Sequence, residues 1–401
     1  MFEQLEGSRA VAKTVARCRP GVIAAYPISP QTHIVEALSD FVRDGELQGC
    51  EYLMVESEFG AMSACIGASG VGARTYTATA SQGLLFMAEA LFNASGLGLP
   101  IVMTVANRAI GAPINIWNDH SDSMSMRDAG WVQLFAASNQ EAVDLHLQAF
   151  VLAERLSLPV MVCMDGFVLT HAVEAVDLPE QDVVDAFLPP LVPRQMLDPD
   201  DPITIGSMVG PEAFTEVRYL MHDQQLAALD ELPRIATEFE RVVGRPAGGL
   251  VKPYRTEDAD VLVVALGSVL GGVEEVVDAL REDGVAAGSL GITCFRPWPA
   301  EAVRKAIGSA RRVVVVERAF APGVGGIVGQ DVRLALRGSG SDGPEVYDVV
   351  AGLGGRSVTR ASLRRLLDDV LAGRLDHHAL HFLDLDRDLL DRAGTPWRRT
   401  S

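Results

Sequence analysis

The sequence predicts an α/β protein built from two doubly wound parallel-sheet domains, and three observations carry that reading. Strand-like and helix-like patterns alternate strictly through the first half of the 401 residues and again from about residue 260. Such alternation predicts a parallel sheet covered by helices on both faces. The longest apolar runs, Val261-Leu262-Val263-Val264-Ala265 and Val313-Val314-Val315-Val316, fall far short of the roughly 20 residues of a membrane span and read as buried strands. Between about 180 and 255 the alternation stops, and Pro189-Pro190, Pro193, Pro199, Pro202 and several aspartates mark an extended connector.

The first domain is expected over residues 1–180. Residues 11–17 read as a helix, 21–26 as a strand and 32–43 as an amphipathic helix. Strand 52–55 leads to helix 61–69, and strand 74–79 to helix 81–93. Strand 101–106, helix 140–156 and strand 159–164 complete the unit. The connector, 181–255, holds one long helical pattern over 215–243, expected to break or kink at Pro233, because proline lacks the amide proton and clashes with the preceding turn. Its length and charge predict an exposed strut that wraps a partner or a neighbouring domain. In the second domain, 256–372, the predicted order is strand 260–266, helix 273–283 and strand 285–292. Helix 300–308, strand 312–317, helix 327–336 and strand 346–350 follow. Residues 373–401 read as a polar tail.

Composition bounds the function. With 48% hydrophobic and 22% charged residues, the chain has the make-up of a folded protein. A formal charge of −19 argues against nucleic acid, which requires clustered Lys and Arg. Arg356, Arg360, Arg364 and Arg365 stand at helical spacing and read as a solvated helix face, and Arg398-Arg399 as a solvated end. Cys18, Cys50, Cys65, Cys163 and Cys294 form no cluster-like spacing, so zinc, iron–sulfur and disulfide frameworks are disfavoured. Cys163 and Cys294 read as small buried hydrophobes. The first seven residues show no basic region ahead of an apolar core; no signal peptide, no membrane partner and a cytoplasmic location are expected.

Chemistry-bearing motifs stand at four successive strand ends, where open parallel sheets bind ligands. Tyr26-Pro27-Ile28-Ser29-Pro30-Gln31-Thr32 offers a rigid backbone and a hydroxyl, and reads also as a strand-to-helix turn capped by Thr32. In Val55-Glu56-Ser57-Glu58-Phe59-Gly60-Ala61 a carboxylate meets apolar neighbours, either to share a proton or to start a helix. Thr77-Ala78-Thr79-Ala80-Ser81-Gln82-Gly83-Leu84, with small hydroxylated residues and a glycine, lets a ligand approach the backbone, or is simply a cap with tight packing. Asn107-Arg108-Ala109-Ile110 carries an arginine whose planar fork suits a carboxylate, or a structural salt bridge. In the following Asn118-Asp119-His120-Ser121-Asp122, His120 reads first as a loop histidine bonded to a neighbouring aspartate and second as a base. Each signal is weak alone; their convergence on one crevice argues for a site.

These motifs, with Asp128-Ala129-Gly130-Trp131, Met164-Asp165-Gly166-Phe167, Phe295-Arg296-Pro297-Trp298-Pro299 and Glu317-Arg318-Ala319-Phe320-Ala321-Pro322-Gly323, resemble the alpha subunit of pyruvate:ferredoxin oxidoreductase in order over roughly residues 5–370. The resemblance implies a divided enzyme. A pyrimidine-binding domain here would share thiamine diphosphate with a beta subunit. Mg2+ and 4Fe-4S clusters would belong to the beta and ferredoxin-like (gamma) partner subunits, with no metal ligand in this chain. It further implies that Glu58 bonds the pyrimidine ring nitrogen, that Arg108 holds the substrate carboxylate, and that Ser29 replaces a threonine usual there and bonds substrate. Pro27 and Ile28 would shape the pocket, and Ser81, Gln82 and Gly83 would lie by the cofactor. Pyruvate, CoA and ferredoxin are the implied reactants, with a branched-chain or other 2-oxoacid enzyme and a non-catalytic assembly subunit as alternatives. The second domain resembles the transketolase C-terminal domain, with a structural role. The glycines of Pro322-Gly323-Val324-Gly325-Gly326 fit a turn before a helix better than a phosphate loop.

Overall fold

The computed structural model describes residues 2–337 and 343–393. In chain order the first part holds β1 (Phe2–Glu6), α1 (Gly7–Arg17), β2 (Val22–Ala25), α2 (Thr32–Arg43), β3 (Glu51–Met54) and α3 (Glu58–Gly70). Next come β4 (Thr75–Thr79), α4 (Ser81–Phe86), α5 (Ala88–Gly96), β5 (Ile101–Asn107), α6 (Ser121–Ser125) and β6 (Val132–Phe135). Then follow α7 (Asn139–Leu156), β7 (Val160–Asp165), β8 (Val173–Asp177), α8 (Gln181–Phe187) and α9 (Phe214–Val243). The second part holds β9 (Val251–Tyr254), β10 (Val261–Ala265), α10 (Val269–Glu282), β11 (Ala287–Ile292), β12 (Cys294–Arg296) and α11 (Ala300–Ile307). It ends with β13 (Arg312–Glu317), α12 (Ile327–Ala335), β14 (Glu345–Val350), α13 (Arg360–Leu371), β15 (Leu380–Phe382) and α14 (Arg387–Ala393).

Two large sheets result. One has the order β12-β6-β7-β5-β4-β2-β3, parallel except for β12; the other has the order β15-β14-β13-β10-β11-β9, parallel except for β9. Their central strands are buried end to end, Ile101–Asn107 and Val261–Ala265 among them, as strands covered on both faces must be. The expected α/β class is therefore the observed one. One difference is that β12 leaves the second part of the chain and pairs antiparallel with β6 of the first sheet, Cys294 opposite Leu134. One hydrophobic core accordingly runs through both parts, from Met62, Leu84 and Met103 to Leu262, Leu290 and Val313.

The connector also departs from expectation. α9 runs unbroken through Pro233. Its buried residues Ala228, Leu232, Ile235 and Phe239 recur three or four apart and pack into the core with Leu147, Phe150 and Phe187. This burial holds the helix together around a residue that costs about 3 kcal/mol in a helix interior. Only the N-terminal part, with Phe214, Tyr219 and Leu220 exposed, behaves as a strut. In the segment read as a polar tail, β15 extends the second sheet by pairing parallel with β14. Arg398 and Arg399 lie outside the described residues. Arg364 pairs with Asp283 and Asp368, Arg365 with Asp384, and Arg360 with Glu275, so that helix face is neutralised locally. All five cysteines are free and buried, and burial raises each thiol pKa. No described helix is long and apolar enough to cross a membrane.

Candidate active site

The carboxyl ends of four neighbouring strands, β5, β4, β2 and β3, bring the motifs together. After β3, Ser57 takes the N-cap of α3, its hydroxyl oxygen accepting from Gly60 N at 3.1 Å. The cap is thus not Glu58, which stands in the first turn. There the helix dipole favours a carboxylate, yet its side chain is buried and, among the described residues, engages in no hydrogen bond or ion pair. It presses instead on the first turn of α4. A Cβ added at Gly83 would lie 2.6 Å from both Glu58 Oε1 and Thr79 Oγ1, and Thr79 Oγ1 is itself buried without a partner among the described residues.

Between β4 and α4 the chain turns at Ser81, whose φ of +50° is left-handed, a conformation costing a non-glycine residue roughly 1–2 kcal/mol. Ser81 N donates to Asp122 Oδ2 at 2.9 Å. Its hydroxyl donates to the Ala109 carbonyl and also meets the Gln82 amide oxygen. After β5, Arg108 is buried; its Nη1 donates to the Ser29 carbonyl at 2.8 Å and its Nη2 reaches Gln82 Oε1 at 3.4 Å, while Nε has no partner among the described residues. Burial pulls this guanidinium below the usual arginine pKa, opposed by the Asp122 charge. After β2, Gln31 Nε2 donates to the Tyr26 carbonyl at 2.9 Å and closes the loop, leaving Pro27 and the Ser29 side chain exposed and Ile28 half-buried. Gly166 has no room for a Cβ, which would stand 2.6 Å from Pro30 and 2.4 Å from the Asn107 carbonyl.

Ser29, Ser81, Gln82 and Arg108 are therefore linked by hydrogen bonds, and Glu58 meets Gly83 on the same helix that carries Gln82. Pro27 and Ile28 flank this group on the β2 loop. His120 is a correction. Its partner is not a neighbouring aspartate but Asp165 at the end of β7, at 2.5 Å, and the ring is buried. Two residues went unassigned by sequence reasoning. Asp122 was visible only as the last residue of a polar run. Thr79 stood in the motif at the end of the threonine-rich strand but was given no role of its own. The cavity of about 480 Å3 between α13 and β15, lined by Leu366, His381 and Phe382, shares no residue with this group. Two groups with metal-ligand chemistry, Glu6, His33 and His171, and Asp376, His377 and His378, also lie outside it.

A thiamine-diphosphate-binding α/β protein is the class this sheet edge defines once the chain is set beside known ones. Residues 13–240 match the family model described as "Pyruvate flavodoxin/ferredoxin oxidoreductase, thiamine diP-bdg", and residues 259–363 match "Pyruvate:ferredoxin oxidoreductase core domain II". The chain belongs to the pyruvate:ferredoxin oxidoreductase family. It is 48% identical to pyruvate synthase subunit PorA of Methanosarcina barkeri over 96% of this chain and 97% of that one. It is 44% identical to PorA of Pyrococcus furiosus over 91% and 92%. With ketoisovalerate oxidoreductase subunit VorA of Pyrococcus horikoshii it shares 38% identity over 93% and 95%. A solved 2-oxoglutarate:ferredoxin oxidoreductase from Magnetococcus marinus has the same fold, with a TM-score of 0.68 at 18% identity. That match covers 92% of this chain and 65% of the other.

Proposed function

We propose that the chain is the alpha subunit of a multi-subunit, cytoplasmic pyruvate:ferredoxin oxidoreductase. The enzyme would convert pyruvate and CoA to acetyl-CoA and CO2 with electrons passed to ferredoxin, or run in reverse as a pyruvate synthase. The observation that carries this is Glu58: a buried carboxylate without a partner among the described residues, set over Gly83, which leaves no room for a Cβ and follows the strand next to the one that ends in the buried Arg108.

That donor set fits thiamine diphosphate. Glu58 would hold a proton at the pyrimidine nitrogen from a seat that the missing Cβ of Gly83 leaves free for it, and Thr79 Oγ1 is a buried hydroxyl with no hydrogen-bond partner among the described residues. When bound, the cofactor supplies a carbon nucleophile and an electron sink for decarboxylation. Arg108 binds and orients the 2-oxoacid carboxylate through its fork, and the Ser29 hydroxyl reaches the substrate from the β2 loop. The beta subunit would supply the diphosphate and Mg2+ contacts and an iron–sulfur cluster, with further 4Fe-4S clusters in a ferredoxin-like subunit. The exposed edge strand β3 supports such docking: Leu53 and Met54 on it, and Phe59 and Phe86 beside it with rings 6.4 Å apart, leave an apolar surface next to Glu58.

The test is co-purification of the tagged chain from its host, with cofactor analysis and pyruvate- and CoA-dependent reduction of ferredoxin or a viologen dye. In that assembly Glu58→Gln is expected to lower turnover by about 100-fold or more with an unchanged melting temperature. Equal loss of stability and activity would defeat the assignment. A branched-chain 2-oxoacid specificity is the second reading, favoured by the similarity to VorA. Turnover on 2-oxoisovalerate exceeding that on pyruvate would establish it.

A further inference from the structure

We infer that Asp122 is a positioning residue, whose buried carboxylate locks the ends of β4 and β5 together and thereby aims Arg108. This rests on the reading of Arg108 as the substrate-carboxylate clamp. Asp122 is fully buried, and each of its oxygens accepts two donors. Oδ2 accepts from Ser81 N at 2.9 Å and Arg108 N at 3.0 Å. Oδ1 accepts from Asn107 Nδ2 and Ser123 N, both at 2.8 Å. The acceptor capacity is spent inward, so this carboxylate serves the loops and not a ligand.

The Oδ2 pair matters most. Ser81 opens the helix that carries Gln82 and Gly83, while Arg108 follows the neighbouring strand, and one oxygen holds both backbones. The held conformation at Ser81 is left-handed, with φ +50°, and needs outside support to persist. The Arg108 side chain cannot fix its own direction. It has one good bond, to the Ser29 carbonyl at 2.8 Å, a long one to Gln82 at 3.4 Å, and an unpartnered Nε. Its aim is therefore set by where its backbone is pinned. A carboxylate answers four N–H groups; an amide in its place turns one acceptor into a donor facing donors, so one half of the clamp opens.

The assembled enzyme, with its partner subunits, carries the test. Asp122→Asn is expected to assemble and to raise the pyruvate KM by roughly 10- to 100-fold, since misplacement on the order of 1 Å carries such costs. The KM for CoA should stay at its wild-type value. Asn107→Ala removes one donor and keeps the carboxylate. It should raise the pyruvate KM by a smaller factor, again without moving that for CoA, and it serves if Asp122→Asn does not assemble. Unchanged pyruvate KM values, or pyruvate and CoA values rising together, would overturn the positioning role. Arg108→Lys separates this claim from the one beneath it. If that variant too keeps the wild-type pyruvate KM, the clamp reading itself fails; if it raises KM while the other two do not, only the role of Asp122 falls.

Discussion

At Gly83 the absence of one carbon atom decides where a carboxylate sits. A methyl there would stand 2.6 Å from Glu58 Oε1, 2.9 Å from Glu58 Cγ and 2.6 Å from Thr79 Oγ1. Glu58 can swing away because it is a long, flexible side chain, whereas Thr79, stiffer at χ1, must also turn or shift to clear the methyl. Gly83→Ala is therefore expected to fold with some loss of stability, and to lose activity because Glu58 leaves its seat. Turnover falling by about 100-fold, as for a lost general acid–base group, with thiamine diphosphate bound more weakly, is the expected result. A fully active variant would show that the contact is incidental. Glu58, Gly83 and Arg108 were legible in the sequence because each sits in a short motif beside a strand end. Asp122 was not, since its importance lies in bonds to Ser81, Asn107 and Arg108, none of which is within ten residues of it. The same reason hid the partner of His120, which lies 45 residues away.

Helix α12 and the loop before it illustrate the scale of elements. The glycines at 323, 325 and 326 look like a phosphate loop, but the amides at the helix start are already taken. Glu317, at the end of β13, accepts from Ile327 N and Val328 N at 2.8 Å and from Gly329 N at 3.2 Å. A Cβ on Gly326 would stand 2.3 Å from the same carboxylate. An internal anion thus fills the place of an external one, and the turn-before-helix reading stands on that geometry. Burial pushes the Glu317 pKa up from 4.5 to about 7, against the three backbone donors and helped by Asp348. Because the folded value is raised, the stability it contributes is whole below the unfolded pKa and is lost as pH rises from about 4.5 to about 7. The loss is on the order of 3 kcal/mol. Glu317→Gln should abolish that loss, so the wild-type minus variant stability difference should decline across this window in urea titrations. A difference independent of pH would mean that Glu317 titrates normally. Elements whose own residues carry the pattern, such as β5, β10 and β13, were legible in the sequence. Strands β6, β8, β12 and β15 were not: they are three to five residues long. Each exists because a partner strand lies alongside; β6 even buries Gln133 in mid-strand.

Over the whole molecule, the two sheets are joined by chemistry as well as by β12. Asp165, at the end of β7, takes His120 on one oxygen; on the other it takes Ser268 N at 2.9 Å and the Ser268 hydroxyl. Arg318, beside β13, lies 3.9 Å away, and His120 N donates to the Arg318 carbonyl at 3.0 Å. The loop after Arg108 crosses the same boundary: Asn115 Nδ2 donates to the Gly354 carbonyl at 3.1 Å, and Gly354 N donates to Asp119 Oδ2 at 3.1 Å. Burial raises the Asp165 pKa, but the charges of His120 and Arg318 and the bonds from His120 and Ser268 outweigh it and hold the carboxyl well below its usual range. A depressed carboxylate contributes stability that is present above its unfolded pKa near 4 and fades only as pH falls toward the folded value. Asp165→Asn removes the charge while leaving His120 and Arg318 buried, and breaking one side of such a pair costs about 3–5 kcal/mol. Because the hydrophobic core is continuous from Met103 to Leu262, the loss should not release one sheet alone. Calorimetry on the variant is expected to show one transition at a lower temperature. Two separated transitions would mean that Asp165 is what couples the sheets. A loss below about 1 kcal/mol would mean that the shared core and the β6–β12 pairing hold them without it.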